Sequence, residues 1–116
     1  MGVKIFETTD VFNKKVALYE EDYKNHILIG HPEMEDVGEI KETVETPNMV
    51  YKSKNFENRK IFFKLGANKK YKNVYTKAVV EYNDSEARIT TSFLSSDIQG
   101  VEEGGLIYAK FNSKLR

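Results

Sequence analysis

The chain has 116 residues, of which 40% are hydrophobic and 31% are charged, and it has a formal net charge of zero and no cysteine. This length suits one domain with one hydrophobic core, and the composition argues against a disordered or fibrous protein. Without cysteine there is no disulfide framework, thiol nucleophile or thiolate zinc site. No apolar run reaches the roughly 20 residues of a membrane helix, and residues 1–7 lack the apolar core of a signal peptide. We expect one cytoplasmic domain over residues 1–116 that makes no membrane contact.

The first elements predicted along the chain are a hairpin and a helix. Residues 3–8 and 14–19 mix β-branched, aromatic and charged side chains on either side of a turn at 9–13, which is typical of paired strands. Three acids then open a segment in which apolar residues recur at every fourth position, which indicates a helix over about 20–28. Gly30 ends this predicted helix.

A second helix is predicted to begin at Pro32, because proline suits the first helical position and acids follow it in the first turn. Val37, Ile40 and Val44 would form its apolar face. Pro47 ends it.

The pattern then changes from helical to alternating, which predicts strands at about 49–54, 59–65, 72–82, 86–95 and, in a shorter form, 106–110. Short connections between them indicate antiparallel neighbours. The predicted fold class is therefore α+β, with an N-terminal hairpin and two helices packed on a mostly antiparallel sheet of four to five strands.

Alternation along these strands predicts one core face and one open face. Regular alternation in the fourth strand places Thr91 on the core face, together with Ile89 and Phe93. The basic and hydroxyl side chains that we expect on the open face are Lys64, Lys77, Arg88, Thr90 and Ser92.

Charge is strongly segregated along the chain. Residues 20–46 contain nine acids and two lysines, whereas residues 49–80 contain nine basic residues and one acid. Aromatic residues are interleaved with the basic ones, as in a surface that binds a polyanion. A solvated sheet edge that lysines protect from aggregation is the alternative explanation.

Both histidines and a glutamate lie within eight positions, at His26, His31 and Glu33. A histidine can accept or donate a proton near neutral pH, and two can divide the two roles. At the predicted helix N-terminus the dipole would keep His31 neutral and able to act as a base. Alternatively, His31 caps the helix and His26 forms a hydrogen bond in the core. As a metal motif the pair is weak, because five residues of helix turn the rings about 140° apart.

The order of five segments resembles a known group of proteins. The segments are YEEDYKNHILIGHPEM, ETPNMVYKSK, IFFKL, YTKAVVEY and ARITTSFL. Over residues 15–110 this order is similar to the small phage and mobile-element nuclease-like domains grouped with barnase, EndoU, the tRNA-cutting colicins and RelE. The resemblance implies a metal-independent, toxin-like endoribonuclease with N-terminal helices on an antiparallel sheet.

By the same resemblance, the catalytic positions are His31, Glu33, the earlier His26 and the strand threonine Thr91. This chain has Ile29-Gly30 where many relatives carry a basic residue before the histidine, so one phosphate contact of the family is missing.

The implied chemistry is attack of a ribose 2′-hydroxyl on the adjacent phosphodiester, without a metal or other cofactor. One histidine acts as base or acid. Lys64, Lys77 and Arg88 would stabilise phosphate charge, Thr91 or Ser92 would donate a hydrogen bond, and a tyrosine would stack on a base. The tyrosines considered for this role are Tyr51, Tyr71 and Tyr75.

The expected partner is RNA, with tRNA as one candidate, together with a cognate inhibitor or antitoxin protein. The competing hypothesis is a catalytically inactive module of the same fold that binds RNA or protein. A homodimer could then form by pairing the acidic face of one copy with the basic face of another. A metal hydrolase is a third and weaker hypothesis.

Overall fold

The alternating segments of the sequence form seven strands in a computed structural model, which describes residues 2–110. The strands are β1 (Lys4–Thr9), β2 (Lys15–Tyr19), β3 (Met49–Ser53), β4 (Arg59–Leu65), β5 (Tyr75–Tyr82), β6 (Ala87–Ser95) and β7 (Val101–Ala109). They form one sheet in the order β1-β2-β6-β5-β4-β3-β7. Only the β2–β6 pair is parallel. The predicted mostly antiparallel α+β class is therefore confirmed.

The sheet has more strands than the four to five predicted. The N-terminal hairpin extends the sheet, because Val16 and Ala17 of β2 pair with Ala87 and Arg88 of β6. At the opposite edge, β7 pairs with β3 and begins at Val101, five residues before the short strand that was predicted. Sequence alternation alone did not indicate either of these edge pairings.

The first helical region has three consecutive parts: α1 (Glu20–Asp22), a π-helical segment (Tyr23–Ile27) and α2 (Leu28–Gly30). The predicted boundary at Gly30 is confirmed. The wide π turn keeps Tyr23 and Ile27 buried, and the hydroxyl of Tyr23 donates a hydrogen bond of 2.7 Å to the backbone oxygen of Met34.

The second helix begins later than predicted. α3 spans Val37–Glu45; residues 32–33 form a turn, and residues 34–36 are irregular. Asp36 is its N-cap residue, because the Asp36 side chain accepts a hydrogen bond of 2.9 Å from the backbone N–H of Gly38. The prediction of a helix start at Pro32 is wrong because this aspartate, a favoured capping residue, defines the first turn instead.

The main hydrophobic core lies between the helices and the sheet face that carries Val80, which we call the helical face. Its buried members include side chains from both helical regions and from five strands: Val16, Leu18, Tyr23, Ile27, Met34, Ile40, Val44, Val50, Phe62, Ala78, Val80, Ala87 and Ile89. Burial of each large apolar side chain contributes about 1.5–3 kcal/mol. This packing holds the helices against the sheet.

The opposite sheet face, which we call the open face, carries a smaller cluster of Ile61, Phe63 and Val79. It is partly covered because the chain must cross β5, β4 and β3 to pass from β6 to β7. Ile98, in the crossing segment of residues 96–100, packs against the cluster.

A bulge in β6 reverses the predicted orientation of several residues. Val80 pairs with Ile89 but Val79 pairs with Thr91, so Thr90 is an extra residue in β6. After the bulge Thr91 and Phe93 lie on the open face, and Ser92 is fully buried on the helical face. The prediction of Ser92 on the open face and Thr91 in the core is therefore wrong.

Within residues 2–110, no helix combines the length and the hydrophobicity that crossing a bilayer requires.

Candidate functional site

His31 lies at the end of the first helical region, immediately after α2. Its backbone N–H donates a hydrogen bond of 2.7 Å to the oxygen of Ile27, and its own oxygen accepts one of 3.0 Å from Met34. The residue therefore follows a helix C-terminus. The expected helix N-terminus at His31 is wrong, and the dipole argument for a neutral base does not apply.

Contacts on two sides hold the imidazole ring of His31. The ring stacks on Phe93 with a centroid distance of 4.8 Å and an interplanar angle of 23°. Nδ1 lies 3.7 Å from a carboxylate oxygen of Glu33, and the His31 side chain is 36% exposed. Within the described residues Nε2 has no hydrogen-bond partner. This arrangement leaves one ring nitrogen available to solvent or to a ligand.

The β6 bulge brings Thr91 to the sheet face on which Phe93 lies. The two residues are two positions apart on one strand, a separation of roughly 7 Å. Thr91 is half-buried. The structure therefore brings His31 and Glu33 together beside Phe93 and places Thr91 on the same sheet face as Phe93.

Lys77 lies beside this group but is buried. It pairs with Phe93 across β5 and β6, and its Nζ is 4.9 Å from the centre of the Phe93 ring. The ammonium donates a hydrogen bond of 2.9 Å to the oxygen of Gln99, and Lys77 is only 7% exposed. Burial lowers the pKa of Lys77. A phosphate could reach this ammonium only if the crossing segment moved.

His26 is an exposed residue of the π-helical segment. Among the described residues its side chain forms no hydrogen bond, ion pair or ring contact. The alternative of a core histidine is therefore wrong, and the structure does not show His26 in contact with His31.

Lys64 lies on the helical face, opposite to the predicted face, because it pairs with Thr76 of β5. Its ammonium donates hydrogen bonds of 2.6 and 3.0 Å to the backbone oxygen and hydroxyl of Thr46, and lies 3.7 Å from Glu42. Lys64 therefore stabilises the C-terminal end of α3. It cannot act on the open face together with Lys77.

Arg88 is on the open face, as expected, and Tyr75 lies on the same face at a separate place. A guanidinium nitrogen of Arg88 lies 3.7 Å from Asp22, and Arg88 is in register with Glu81. Tyr75 packs edge to face against Phe63 with a centroid distance of 5.8 Å. Ser92 is buried, and its hydroxyl donates a hydrogen bond of 2.7 Å to the oxygen of Lys77.

The nine basic residues of the segment 49–80 do not share one sheet face. Lys52, Lys60 and Lys64 lie on the helical face, whereas Arg59 and Lys77 lie on the open face. Three more are in the loop between β4 and β5, namely Lys69, Lys70 and Lys72. The single basic sheet face expected from the sequence is therefore wrong.

Glu39 is a buried carboxylate that the sequence did not single out. It is 4% exposed on α3, and its oxygens accept hydrogen bonds from the Asn68 amide (3.0 Å) and from the hydroxyl of Thr76. Burial raises the pKa of Glu39. It lines a shallow pocket of about 470 Å³ together with Glu33 and Tyr71. The helical spacing of the sequence placed Glu39 outside the predicted apolar face of α3, so the sequence did not indicate that Glu39 is buried.

Phe93 is the residue of the His31 site that sequence reasoning missed. Regular alternation placed it in the core, and neither glycine nor proline marks the bulge that turns it outward.

No group of three or more histidine, aspartate or glutamate side chains within residues 2–110 is arranged to hold a metal ion.

Comparison with known proteins returned no family model, no curated protein and no solved structure that matches this chain.

Proposed function

We propose that this domain is a metal-independent endoribonuclease in which His31 is the acid–base residue. The observation that carries the proposal is the environment of the His31 ring: Phe93 holds its plane, Glu33 lies 3.7 Å from Nδ1, and Nε2 has no partner among the described residues. A carboxylate at one ring nitrogen orients an imidazole, while the other nitrogen exchanges a proton with the reacting group.

The reaction would proceed by internal attack within the RNA. His31 takes the proton of a ribose 2′-hydroxyl, whose oxygen forms a bond to the adjacent phosphorus. The bond from phosphorus to the 5′-oxygen breaks, and this oxygen takes a proton from solvent water to leave as a hydroxyl. The products are a 2′,3′-cyclic phosphate and a 5′-hydroxyl. The hydroxyl of Thr91, on the face that carries Phe93, would donate a hydrogen bond to the phosphate.

The first test is RNA cleavage in the presence of EDTA. The wild-type domain should cleave, and His31→Ala should lower the rate by about 10²–10⁴-fold, the usual contribution of a general acid or base. His26→Ala distinguishes a one-histidine from a two-histidine mechanism. We expect a small effect there, because the His26 side chain is exposed and forms no hydrogen bond, ion pair or ring contact among the described residues. Intact RNA after long incubation with concentrated protein would contradict the proposal.

The second candidate function is a module of this fold that binds RNA or protein without cleavage. It is favoured by the positions of the two lysines expected at the phosphate: Lys77 is buried beneath the crossing segment, and Lys64 is on the other face. A salt-dependent gel shift of RNA that stays intact would favour this function.

A partner protein is part of the proposal for both candidate functions. The acidic first half could bind a cognate inhibitor of basic character, in a phage or mobile-element setting, or a second copy of the domain. Sedimentation at low and high salt tests self-association, since a dimer held by opposite charges should dissociate as salt screens them.

A further inference from the structure

A pocket of about 480 Å³ lies at the hairpin end of β3 and β4. Strand β5 runs past both places and so measures their separation. Glu81 of β5 pairs with Arg59 of the pocket, and Lys77 of β5 pairs with Phe93 of the His31 site. The two β5 residues are four positions apart, a separation of roughly 13 Å along the strand. The pocket is therefore a separate place on the molecule. Its basic lining residues are Lys52, Lys54, Arg59 and Lys60.

Two of these lysines face each other directly. Lys52 and Lys60 are cross-strand partners in the β3–β4 pair. Side chains in such positions start about 5 Å apart, and like charges there are destabilising. Among the described residues, Lys52, Lys54 and Lys60 form no ion pair with a carboxylate. The Asp10 carboxylate favours the charged form of Lys60 from beyond ion-pairing distance, whereas Lys14 opposes it.

The ammonium of Lys60 is held in a defined position. It lies 4.3 Å from the centre of the Phe12 ring and 4.5 Å from that of Tyr82. Cation–π contacts of this kind are attractive but leave the N–H donors without a hydrogen-bond acceptor. Burial also lowers the pKa of Lys60. An anion beside this ammonium would supply the missing acceptor and offset its desolvation.

Arg59 lines the same pocket from the open face, whereas Lys52 and Lys60 lie on the helical face. Its guanidinium lies 4.0 Å from the centre of the Phe56 ring, and one terminal nitrogen is 3.5 Å from Glu81. The Nε atom is buried and has no hydrogen-bond partner within the described residues.

The remaining charges and the pocket mouth also favour an anion. Glu57 and Glu102 line the pocket, so its four cations exceed its carboxylates by two. Phe56 is 49% exposed at the mouth and offers an aromatic surface on which a base can stack. Excess positive charge beside an exposed aromatic ring matches a nucleotide phosphate rather than a carboxylate metabolite.

We propose that this pocket binds a phosphate group of a nucleotide or of an RNA strand, at a site separate from His31. Lys52 and Lys54 contact the phosphate, and Lys60, the cross-strand partner of Lys52, stabilises its charge. The inference does not rest on the proposed nuclease activity, because an inactive RNA-binding module would use the same pocket.

The experiment uses the full chain with two probes, inorganic phosphate and a short single-stranded RNA whose 2′-oxygens are methylated to prevent cleavage. Amide chemical shifts are followed by NMR during each titration. We expect the amides of residues 52–60 to shift more than those of residues 68–72. Shifts with both probes indicate a site for any phosphate, and shifts with RNA alone indicate a site for the polynucleotide backbone.

A matched pair of charge variants provides the control. Lys52→Gln with Lys54→Gln and Lys69→Gln with Lys70→Gln each remove two exposed lysines, but only the first pair lines this pocket. The first should weaken RNA binding about tenfold and lower its salt dependence, and the second should weaken it about twofold or less. Equal effects of the two variants, or no shift at residues 52–60 with either probe, would overturn the proposal. Cleavage activity enters neither readout, so failure here is distinct from failure of the nuclease proposal.

Discussion

The ring of His31 owes its orientation to Phe93, a residue far away in sequence. A stacked ring at 4.8 Å restricts rotation of the imidazole and so fixes the direction of both nitrogens. Phe93 touches no reacting atom in this account. It is a positioning residue, and its importance depends on the β6 bulge that turns it towards His31.

Replacement of Phe93 tests this role. Phe93→Leu should lower the rate of RNA cleavage roughly tenfold to a hundredfold. The His31 imidazole would still be able to transfer a proton, but it would less often point in the direction that the reaction requires. Phe93→Tyr keeps a ring and should retain most of the rate. The ring protons of His31 should also show an upfield NMR shift from the Phe93 ring current that disappears in Phe93→Leu. Unchanged shifts and rates in Phe93→Leu would contradict the positioning role.

Glu39 gives a pH-dependent prediction for stability. Burial raises its pKa above the ordinary value of 4.5, so the folded state binds this proton more tightly than the unfolded chain does. The resulting stabilisation is fully present below about pH 4.5 and is lost as the pH rises through the folded-state pKa. Each unit of difference between the folded and unfolded pKa corresponds to about 1.4 kcal/mol.

Glu39→Gln removes this titration while keeping an amide that can bond to Asn68 and Thr76. Relative to the wild type, the variant should become progressively more stable from pH 4 towards pH 7. Urea unfolding of both proteins across this range measures the difference between their free energies of unfolding. The contributions of the other carboxylates are the same in both proteins and cancel in this difference. A difference that is constant with pH would contradict the raised pKa.

At the scale of elements, Lys64 of β4 stabilises the C-terminal end of α3. Its ammonium binds the backbone oxygen of Thr46, which follows the helix. Lys64→Met should lower the free energy of unfolding by about 1–2 kcal/mol through the loss of a charged hydrogen bond. Lys41→Met is the matched control on α3, because Lys41 forms only an exposed pair with Glu45 at 4.0 Å. Thermal unfolding should separate the two variants, and equal stabilities would contradict the capping role.

The strands of the central meander were predictable because their sequence signals are local. β4 begins and ends where the alternation of residues 59–65 places it, and β3 and β6 agree within a residue. The start of α3 was not predicted, since the signals of Pro32 and Asp36 compete and only tertiary packing chooses between them. The β6 bulge was also unpredictable, because no glycine or proline marks Thr90.

The β6 bulge also explains why only part of the His31 site could be predicted from the sequence. His31 and Glu33 are neighbours in the chain, so their proximity follows from the local sequence. The facing of Thr91 depends on register, and a one-residue change moves every later side chain to the other face. The prediction placed Lys77 on the correct face. Its burial depends on the segment that crosses the open face from β6 to β7, and the alternation of side chains along the strands does not predict where that segment runs.

Across the whole molecule, the charge segregation of the sequence does not become two opposed faces. The basic residues divide between a pocket at the β3–β4 hairpin, the loop after β4, the end of α3 and the buried Lys77. RNA bound at His31 would therefore meet positive charge at separate points rather than on one continuous surface. Besides the β2–β6 pairing, Tyr82 links β5 to the turn between β1 and β2, because its hydroxyl donates a hydrogen bond of 2.6 Å to Asp10.

The central claim is that His31 promotes attack by the ribose 2′-hydroxyl, and the chemistry of the product ends tests it most directly. A defined RNA oligonucleotide would be incubated with the domain in EDTA and its fragments identified by mass spectrometry. If His31 acts in this way, the fragments end in a 2′,3′-cyclic phosphate and begin with a 5′-hydroxyl. No cleavage occurs where the 2′-oxygen is methylated. Fragments that begin with a 5′-phosphate, or cleavage next to a methylated ribose, would contradict the account.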